Sequence, residues 1–184
     1  MALKSSIPLK SQSKWNSSIT SNEGSAAVWK TAHTLASMCT KSTTLVSFQY
    51  SLLLRILPTN TFLTKIGIKQ DANCSFCSNA PENYTHLFWQ CTKVKLKFWT
   101  NLMEKLLDVN LTPQDYPRDI TVFLGLRSDS TKFSLQLNFC FLLARYYIWC
   151  SKTSNKIPRL KTFLVILKSQ FNIETYKLGS TPKK

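Results

Sequence analysis

The sequence has little glycine and no long uninterrupted apolar run. Only four glycines and seven prolines occur in 184 residues, which excludes collagen-like repeats and flexible Gly/Ser architectures. The most hydrophobic stretch, Phe133 to Cys150, is interrupted by Gln136, Asn138 and Arg145, so nothing reaches the roughly 18 apolar residues of a membrane-spanning helix. The N-terminal residues lack the apolar segment of a secretory signal. We therefore expect an intracellular protein, nuclear or cytoplasmic, that is not secreted and has no membrane partner.

Acidic side chains are also scarce. Nine Asp and Glu stand against 24 Lys and Arg, a net charge of +15, which predicts an anionic partner, either nucleic acid or a negatively charged membrane surface. The charge is uneven, because residues 1–70 carry +7, residues 71–125 carry −1 and residues 126–184 carry +9. An apolar content of 43% is too high for a wholly disordered chain. Two basic arms thus flank a neutral segment.

Hydrophobic periodicity predicts a mainly α-helical chain. Residues 1–24 are polar and rich in Ser and Lys, so we expect a disordered basic arm there. From Ser25 onward, apolar residues recur every three to four positions, the spacing of an amphipathic helix. A second helix, which Thr43 or Thr44 would cap, should run until Pro58 stops it. These two helices should form a hairpin.

Four further helices are predicted. A short one follows the Pro-Thr-Asn turn and ends at Gly67. A long one should run from about Tyr84 to Val109, although Lys93 to Phe98 also alternates with period two, so that a short strand is the rival interpretation. The last two should run from about Ser130 to Lys152 and from Pro158 onward.

Four residues in the neutral segment have the spacing of metal ligands. Cys74, Cys77, His86 and Cys91 form a C-x2-C-x8-H-x4-C array. Tetrahedral Zn²⁺ binds thiolate and imidazole ligands, and four protein ligands leave no open position, so the array predicts a structural zinc site. His86 and Cys91 would lie about 140° apart on an ideal helix, so the helix must be distorted or starting at one of them. The alternative is a coincidental group of core residues.

The other cysteines and the second histidine have no such partners. Cys39, Cys140 and Cys150 lie in apolar helical patterns and are predicted to be core thiols. His33 is predicted to be a core or surface residue. No disulfides are expected in an intracellular chain.

These patterns predict a helical bundle-like domain with an inserted zinc knuckle. We divide the chain into a disordered basic arm at 1–24, a helical hairpin segment at 25–73, the zinc knuckle and following helix at 74–109, a linker at 110–129, C-terminal helices at 130–178 and a tail at 179–184.

Several segments around the array resemble a known family. They are Phe48-Gln49-Tyr50, Arg55 to Asn60, Lys65 to Ile68, the four array positions with Glu82, and Phe98-Trp99. Together they resemble the zinc-binding region near the C-terminus of LINE-type non-LTR retrotransposon reverse transcriptases, and fish copies most closely. The resemblance extends from about Val28 to Tyr176.

The resemblance implies a segment that follows the polymerase in the full-length element protein and helps to hold template RNA during target-primed reverse transcription. It implies nucleic acid as a partner, RNA more than DNA, together with the upstream reverse transcriptase domain. The paired aspartates of the polymerase, which would bind two metal ions, are absent, since no aspartate adjoins another. We expect a fragment of a retrotransposon open reading frame, without polymerase or endonuclease and without catalysis of its own.

Basic side chains bracket the array and are the candidate nucleic-acid contacts of a non-catalytic binding module. They are Arg55, Lys65, Lys69, Lys93, Lys95 and Lys97. Aromatic side chains within the array would stack on bases if they were exposed, and would otherwise belong to the core. They are Phe76, Phe88 and Trp89.

Two other functions are alternatives to nucleic-acid binding. The first is a retrotransposon-derived structural or interaction fragment with no independent nucleic-acid binding, which an exposed apolar face along Leu45 to Leu57 would favour. The second is an enzyme with a cysteine nucleophile. Only Cys91 and His86 could supply it, and zinc would occupy both.

Overall fold

The computed structural model describes residues 10–16, 26–107, 123–125 and 132–179. Within them the chain is mainly helical and contains no strand, which confirms the predicted fold class. The helices are α1 (Lys10–Asn16), α2 (Ala26–Cys39), α3 (Thr43–Leu53), α4 (Asn60–Lys65), a π-helical turn α5 (His86–Gln90), α6, α7 (Lys132–Thr153) and α8 (Leu160–Gly179). Helix α6 consists of Thr92–Val94, the π-helical Lys95–Trp99 and Thr100–Leu107. None of these helices is long and apolar enough to cross a membrane.

Helix α7 lies at the centre of the packing. Every residue from Leu137 to Arg145 is buried, as expected of a helix that is apolar nearly all round. Helix α7 contacts α2, α3 and α8, and α2 packs on α3 as the predicted hairpin. Helix α7 was predicted from about Ser130 to Lys152, and both of its ends lie within two residues of these bounds. Helix α8 begins two residues after its predicted start at Pro158. The core therefore forms around α7, and the array lies on segments attached to it.

Helix α3 begins and ends at different residues from those predicted. Its N-cap is Ser42, whose hydroxyl accepts a hydrogen bond from the Leu45 amide at 3.4 Å. The helix ends at Leu53, before Pro58, because Arg55 adopts a left-handed φ of 58°. The amides of Arg55 and Ile56 then donate to the carbonyls of the last turn, which is a Schellman ending with a non-glycine residue.

The predicted disordered arm contains a folded segment. Helix α1 lies within residues 1–24, and its Trp15 side chain is fully buried. The indole packs at 5.7 Å from the ring of Tyr84 and at 4.7 Å from that of Phe123. Its Nε1 donates to the Leu53 carbonyl oxygen at 2.9 Å. A large aromatic surface and one buried hydrogen bond outweigh the polar composition of this short helix.

The predicted helix from Tyr84 to Val109 is broken at Cys91, whose ψ of 124° is extended. The rival strand at Lys93 to Phe98 is wrong, because these residues are helical and the Cys91 carbonyl accepts hydrogen bonds from the first turn of α6.

In the predicted linker, Phe123 and Leu124 are buried in the core. The rest of 110–129, with 1–9, 17–25 and 180–184, lies outside the described residues.

We expect Trp15→Ala to lower the free energy of unfolding by about 3 to 5 kcal/mol, because it removes a fully buried aromatic side chain. Urea unfolding followed by circular dichroism measures this difference. Tyr176→Ala is the control, since that ring is 79% exposed and its loss should cost no more than about 0.5 kcal/mol. Equal stability of the two variants would show that α1 does not belong to the folded unit.

Candidate metal centre

The first two cysteines of the array lie in a tight hairpin. The Cys74 amide donates to the Ala80 carbonyl at 2.9 Å, and the Glu82 amide donates to the Ala72 carbonyl at 2.7 Å. Between these bonds, the Ser78 amide donates to the Cys74 carbonyl at 2.9 Å, and Ser78 itself has a left-handed φ of 58°. The hairpin closes the chain on itself and brings the Cys74 and Cys77 sulfurs to one side.

The other two ligands are brought together by a distorted helical turn. The Asn83 side chain accepts a hydrogen bond from the His86 amide at 2.8 Å and starts the turn. The Cys91 amide then donates to the His86 carbonyl at 2.8 Å, which is the i to i+5 bond of a π-helix. The expected distortion between these two positions is confirmed. An α-helix would have turned the two side chains apart.

The four donor atoms converge. All lie within 4.8 Å of one another. The Cys74 and Cys91 sulfurs are 3.8 Å apart, and the Cys77 sulfur is 3.3 Å from His86 Nε2. Tetrahedral zinc with sulfur at about 2.3 Å requires sulfurs about 3.8 Å apart. Three thiols and one imidazole at these separations fit zinc with no open coordination position.

Two of the four donors, Cys91 and His86, have pKa values shifted towards the form that binds metal, and Cys74 is shifted the other way. The hydrogen bond between the two sulfurs, together with burial, raises the pKa of Cys74. The same hydrogen bond and the amides of Val94 and Lys93 at the start of α6 lower the pKa of Cys91 despite its burial. Burial lowers the pKa of His86, against the field of Glu82. The imidazole is therefore neutral at pH 7, which is the form that binds metal.

Residues 9–99 match the family described as zinc-binding in reverse transcriptase. The match includes all four donor residues and begins just before α1. It supports a zinc-binding region of reverse-transcriptase origin, and no polymerase catalytic domain is found. No curated protein matches the chain.

The four-residue cluster is braced by Glu82, which was not selected as a site residue from the sequence. Its carboxylate is fully buried. It accepts hydrogen bonds from the amides of Asn60 and Ser75, both at 2.9 Å, and pairs with the Lys152 ammonium at 2.9 Å. One side chain thus ties α4, the Cys74–Cys77 turn and the end of α7 together. The ion pair spans 70 positions of sequence, so no local signal could have shown it.

Burial alone would raise the pKa of Glu82, but the hydrogen bonds from Ser75, Lys152 and Asn60 outweigh it, so that the pKa is held below its ordinary value of 4.5. The carboxylate is therefore charged at neutral pH. A buried charge with this many donors is stable only while all of its partners remain in place.

The predicted basic contacts differ in their surroundings. Lys65, Lys69, Lys95 and Lys97 are exposed, and Lys93 is half-buried. The Lys69 ammonium donates to Asn60 Oδ1 at 3.0 Å, and the Lys95 ammonium lies 5.9 Å from the Trp89 ring.

Arg55 differs from these lysines, because it is a structural residue. Its guanidinium lies 4.8 Å from the Trp15 ring and 5.1 Å from the Tyr84 ring, and it donates to the Lys14 carbonyl at 2.8 Å. Burial lowers its pKa. The guanidinium holds α1 against Tyr84 and the end of α3, and contact of Arg55 with nucleic acid stays a prediction.

The aromatic side chains of the array are mostly core residues. Phe76 is 7% exposed and Phe88 is fully buried, whereas Trp89 is half-buried. Stacking on bases by Phe76 or Phe88 is therefore wrong. A different ring is available on α4, where Phe62 is 46% exposed one helical turn before Lys65. The two residues are three positions apart, a spacing that places side chains on the same face of a helix, and this spacing could have indicated the pair from the sequence.

The prediction that the other three cysteines are core thiols holds fully for Cys140 and partly for Cys39 and Cys150. Cys140 is buried, and burial raises its pKa to about 12, as expected of a core thiol. Cys39 and Cys150 are half-buried. His33 lies between the rings of Trp29 and Tyr50 at 6.4 and 5.9 Å.

We expect Glu82→Gln to lower the free energy of unfolding by about 3 to 5 kcal/mol, because it leaves the Lys152 ammonium, which is 9% exposed, without its buried counter-charge. Glu104→Gln is the matched control at an exposed position of α6 and should change stability by no more than about 0.5 kcal/mol. Denaturant titration of both variants at neutral pH measures the two changes.

The pH dependence of the free energy of unfolding tests whether the Glu82 carboxylate is charged in the folded protein. Because the pKa of Glu82 is lowered in the folded protein, its contribution is present above its unfolded pKa and is lost as pH falls through the folded pKa. The difference in free energy of unfolding between the unsubstituted protein and Glu82→Gln should shrink as pH drops below 4.5. A difference that stayed constant into the acid range would contradict a charged carboxylate at this position.

Proposed function

We propose that the chain is a non-catalytic, zinc-organised module that binds nucleic acid, RNA in preference to DNA, and that it derives from the reverse transcriptase of a LINE-type non-LTR retrotransposon with fish-like sequence. The observation that carries this proposal is the convergence of Cys74, Cys77, His86 and Cys91 on one point. The family match over residues 9–99 supports it. Zinc in such a site would hold the knuckle against α6 and supply no reaction.

Exposed cations next to the cluster are the proposed phosphate contacts. Lys65 and Lys69 precede the knuckle, and Lys95 and Lys97 follow it on α6. The exposed Phe62 ring, one turn from Lys65, would stack on an unpaired base. Unpaired bases are what proteins read in RNA, since the deep groove of duplex RNA is closed to side chains. The upstream polymerase of the element protein would be the second partner.

The alternative is a structural fragment with no independent nucleic-acid binding. It predicted an exposed apolar face along Leu45 to Leu57. Most of those apolar side chains are buried or half-buried, and Tyr50 at 54% and Ile56 at 60% exposure are the exceptions. The side chains therefore favour the binding module over the fragment. An enzyme with Cys91 as nucleophile is not favoured, because the cluster holds both Cys91 and His86.

We expect the zinc-loaded protein to bind a fluorescein-labelled single-stranded oligoribonucleotide with log affinity that falls linearly with log salt concentration. The double variant Lys65→Gln with Lys97→Gln removes two proposed phosphate contacts, so the slope should fall by about 1.4. Fluorescence anisotropy at four salt concentrations measures the slope, and a DNA oligonucleotide of the same sequence tests the preference.

The matched control is Lys30→Gln with Lys41→Gln, which removes the same charge at exposed positions of α2 and the turn after it. Its slope should stay close to that of the unsubstituted protein. If both double variants behave alike, binding depends on net charge alone. If the unsubstituted protein does not bind at all, the structural fragment is the better description.

A further inference from the structure

A cleft between α7 and α8 contains no ligand of the metal cluster and none of the six basic side chains selected from the sequence. It consists of two adjoining cavities of about 730 Å³ and 290 Å³, which share Tyr147, Cys150 and Ile166 in their walls. The larger cavity falls within the range of small-molecule sites, about 300 to 1,000 Å³. The cleft is thus large enough for a nucleotide.

The two cavities differ in chemistry. The larger has two cations, Lys156 and Arg159, and the hydroxyls of Ser151, Ser154 and Thr162 in its walls, and its described lining includes no carboxylate. Cations and hydroxyls are the donors that hold phosphate. The walls of the smaller cavity contain Leu45, Leu143 and the Tyr146 ring together with Ser42, Thr44 and Gln170, and its described lining includes no cation. A cationic end and an uncharged end suit a ligand with a phosphate and a flat base.

The charge around the cleft also points to a polyanion. Residues 130–173 contain seven basic side chains and no acidic one, although Arg145 among them is buried and Lys152 is paired with Glu82. Among the described residues, the carboxylates of Glu82 and Glu174 are engaged elsewhere. Glu82 pairs with Lys152, and Glu174 accepts hydrogen bonds from the Thr40 hydroxyl and the Lys41 amide. The attraction for phosphate is therefore not offset by carboxylates in the described walls.

The rim of the larger cavity is held in place by the backbone. Helix α7 ends with a left-handed φ of 56° at Asn155, and the Lys156 amide donates to the Ser151 carbonyl at 2.8 Å. The Tyr147 hydroxyl accepts from the Arg159 amide at 3.1 Å and donates to the Arg159 carbonyl at 3.2 Å. The two cations are thus carried on a fixed loop, which lowers the entropic cost of binding.

We propose that this cleft binds one or two nucleotides of a single strand, with phosphate at Lys156 and Arg159 and the base towards the smaller, uncharged cavity. The inference rests on the proposed function. It adds a second nucleic-acid contact, formed by residues that lie C-terminal to the knuckle lysines in the sequence. A duplex does not fit this description, because its bases are stacked and paired.

Cys150 provides a direct reporter, because its half-buried thiol lines both cavities. The zinc-loaded protein is treated with iodoacetamide, and alkylation of Cys150 is followed by peptide mass spectrometry. An oligoribonucleotide at ten times its dissociation constant should slow this alkylation about tenfold. Cys39, half-buried on α2 and outside the cleft, is the internal reference and should react at an unchanged rate.

Two further ligands and two variants of the protein identify what occupies the cleft. A ribonucleoside monophosphate should protect Cys150 at higher concentration, and inorganic phosphate should not. The variant Lys156→Gln with Arg159→Gln should lose protection and lower the salt slope of RNA binding by about 1.4. Lys168→Gln, exposed on α8 and absent from the cavity walls, should retain both.

Three results would overturn the inference. If RNA binds in the anisotropy titration while Cys150 alkylation is unchanged, the cleft is not a contact, and the proposed function still stands. If inorganic phosphate protects as well as RNA, the cleft is an anion site without a base. If RNA does not bind the protein at all, the proposed function and this inference fail together.

Discussion

Three sulfurs and one imidazole nitrogen must meet around a single point, and the local structure of this protein depends on that constraint. The hairpin with its left-handed Ser78 brings in two sulfurs, and the π-helical turn brings in His86 and Cys91. Neither distortion is favoured by the backbone alone. A divalent ion with four bonds would supply the free energy that holds both, which is about 10 to 16 kcal/mol in small zinc peptides. That is comparable to the stability of a whole domain.

The candidate metal centre is joined to the helical core through Glu82. Its carboxylate bonds to α4, to the Cys74–Cys77 turn and to Lys152 at the end of α7. The same α7 continues into the loop that carries Lys156 and Arg159. The knuckle with its lysines and the cleft between α7 and α8 are therefore attached to one rigid helix. In the proposed function, a strand of nucleic acid would contact both, which is a reason for one folded unit to carry basic segments on either side of a neutral one.

Most features that depend on neighbouring residues could be predicted from the sequence, with the end of α3 as an exception, and burial that depends on particular distant side chains could not. The ligand spacing, the distortion between His86 and Cys91, and the left-handed Gly67 just after α4 all follow from local geometry. Trp15 was missed, because its burial depends on Tyr84 and Phe123, far along the chain. The end of α3 was misplaced because a left-handed Arg55 gives no signal comparable to glycine.

X-ray absorption at the zinc edge, on protein purified without added metal, tests the central claim most directly. The account predicts one zinc per chain, with three sulfur neighbours at about 2.3 Å and one nitrogen at about 2.0 Å. The variant Cys77→Ser should lose one sulfur neighbour or the metal, and Cys150→Ser should retain the full shell. A metal-free protein that keeps its helical circular dichroism, or a zinc shell of oxygen neighbours, would contradict the account.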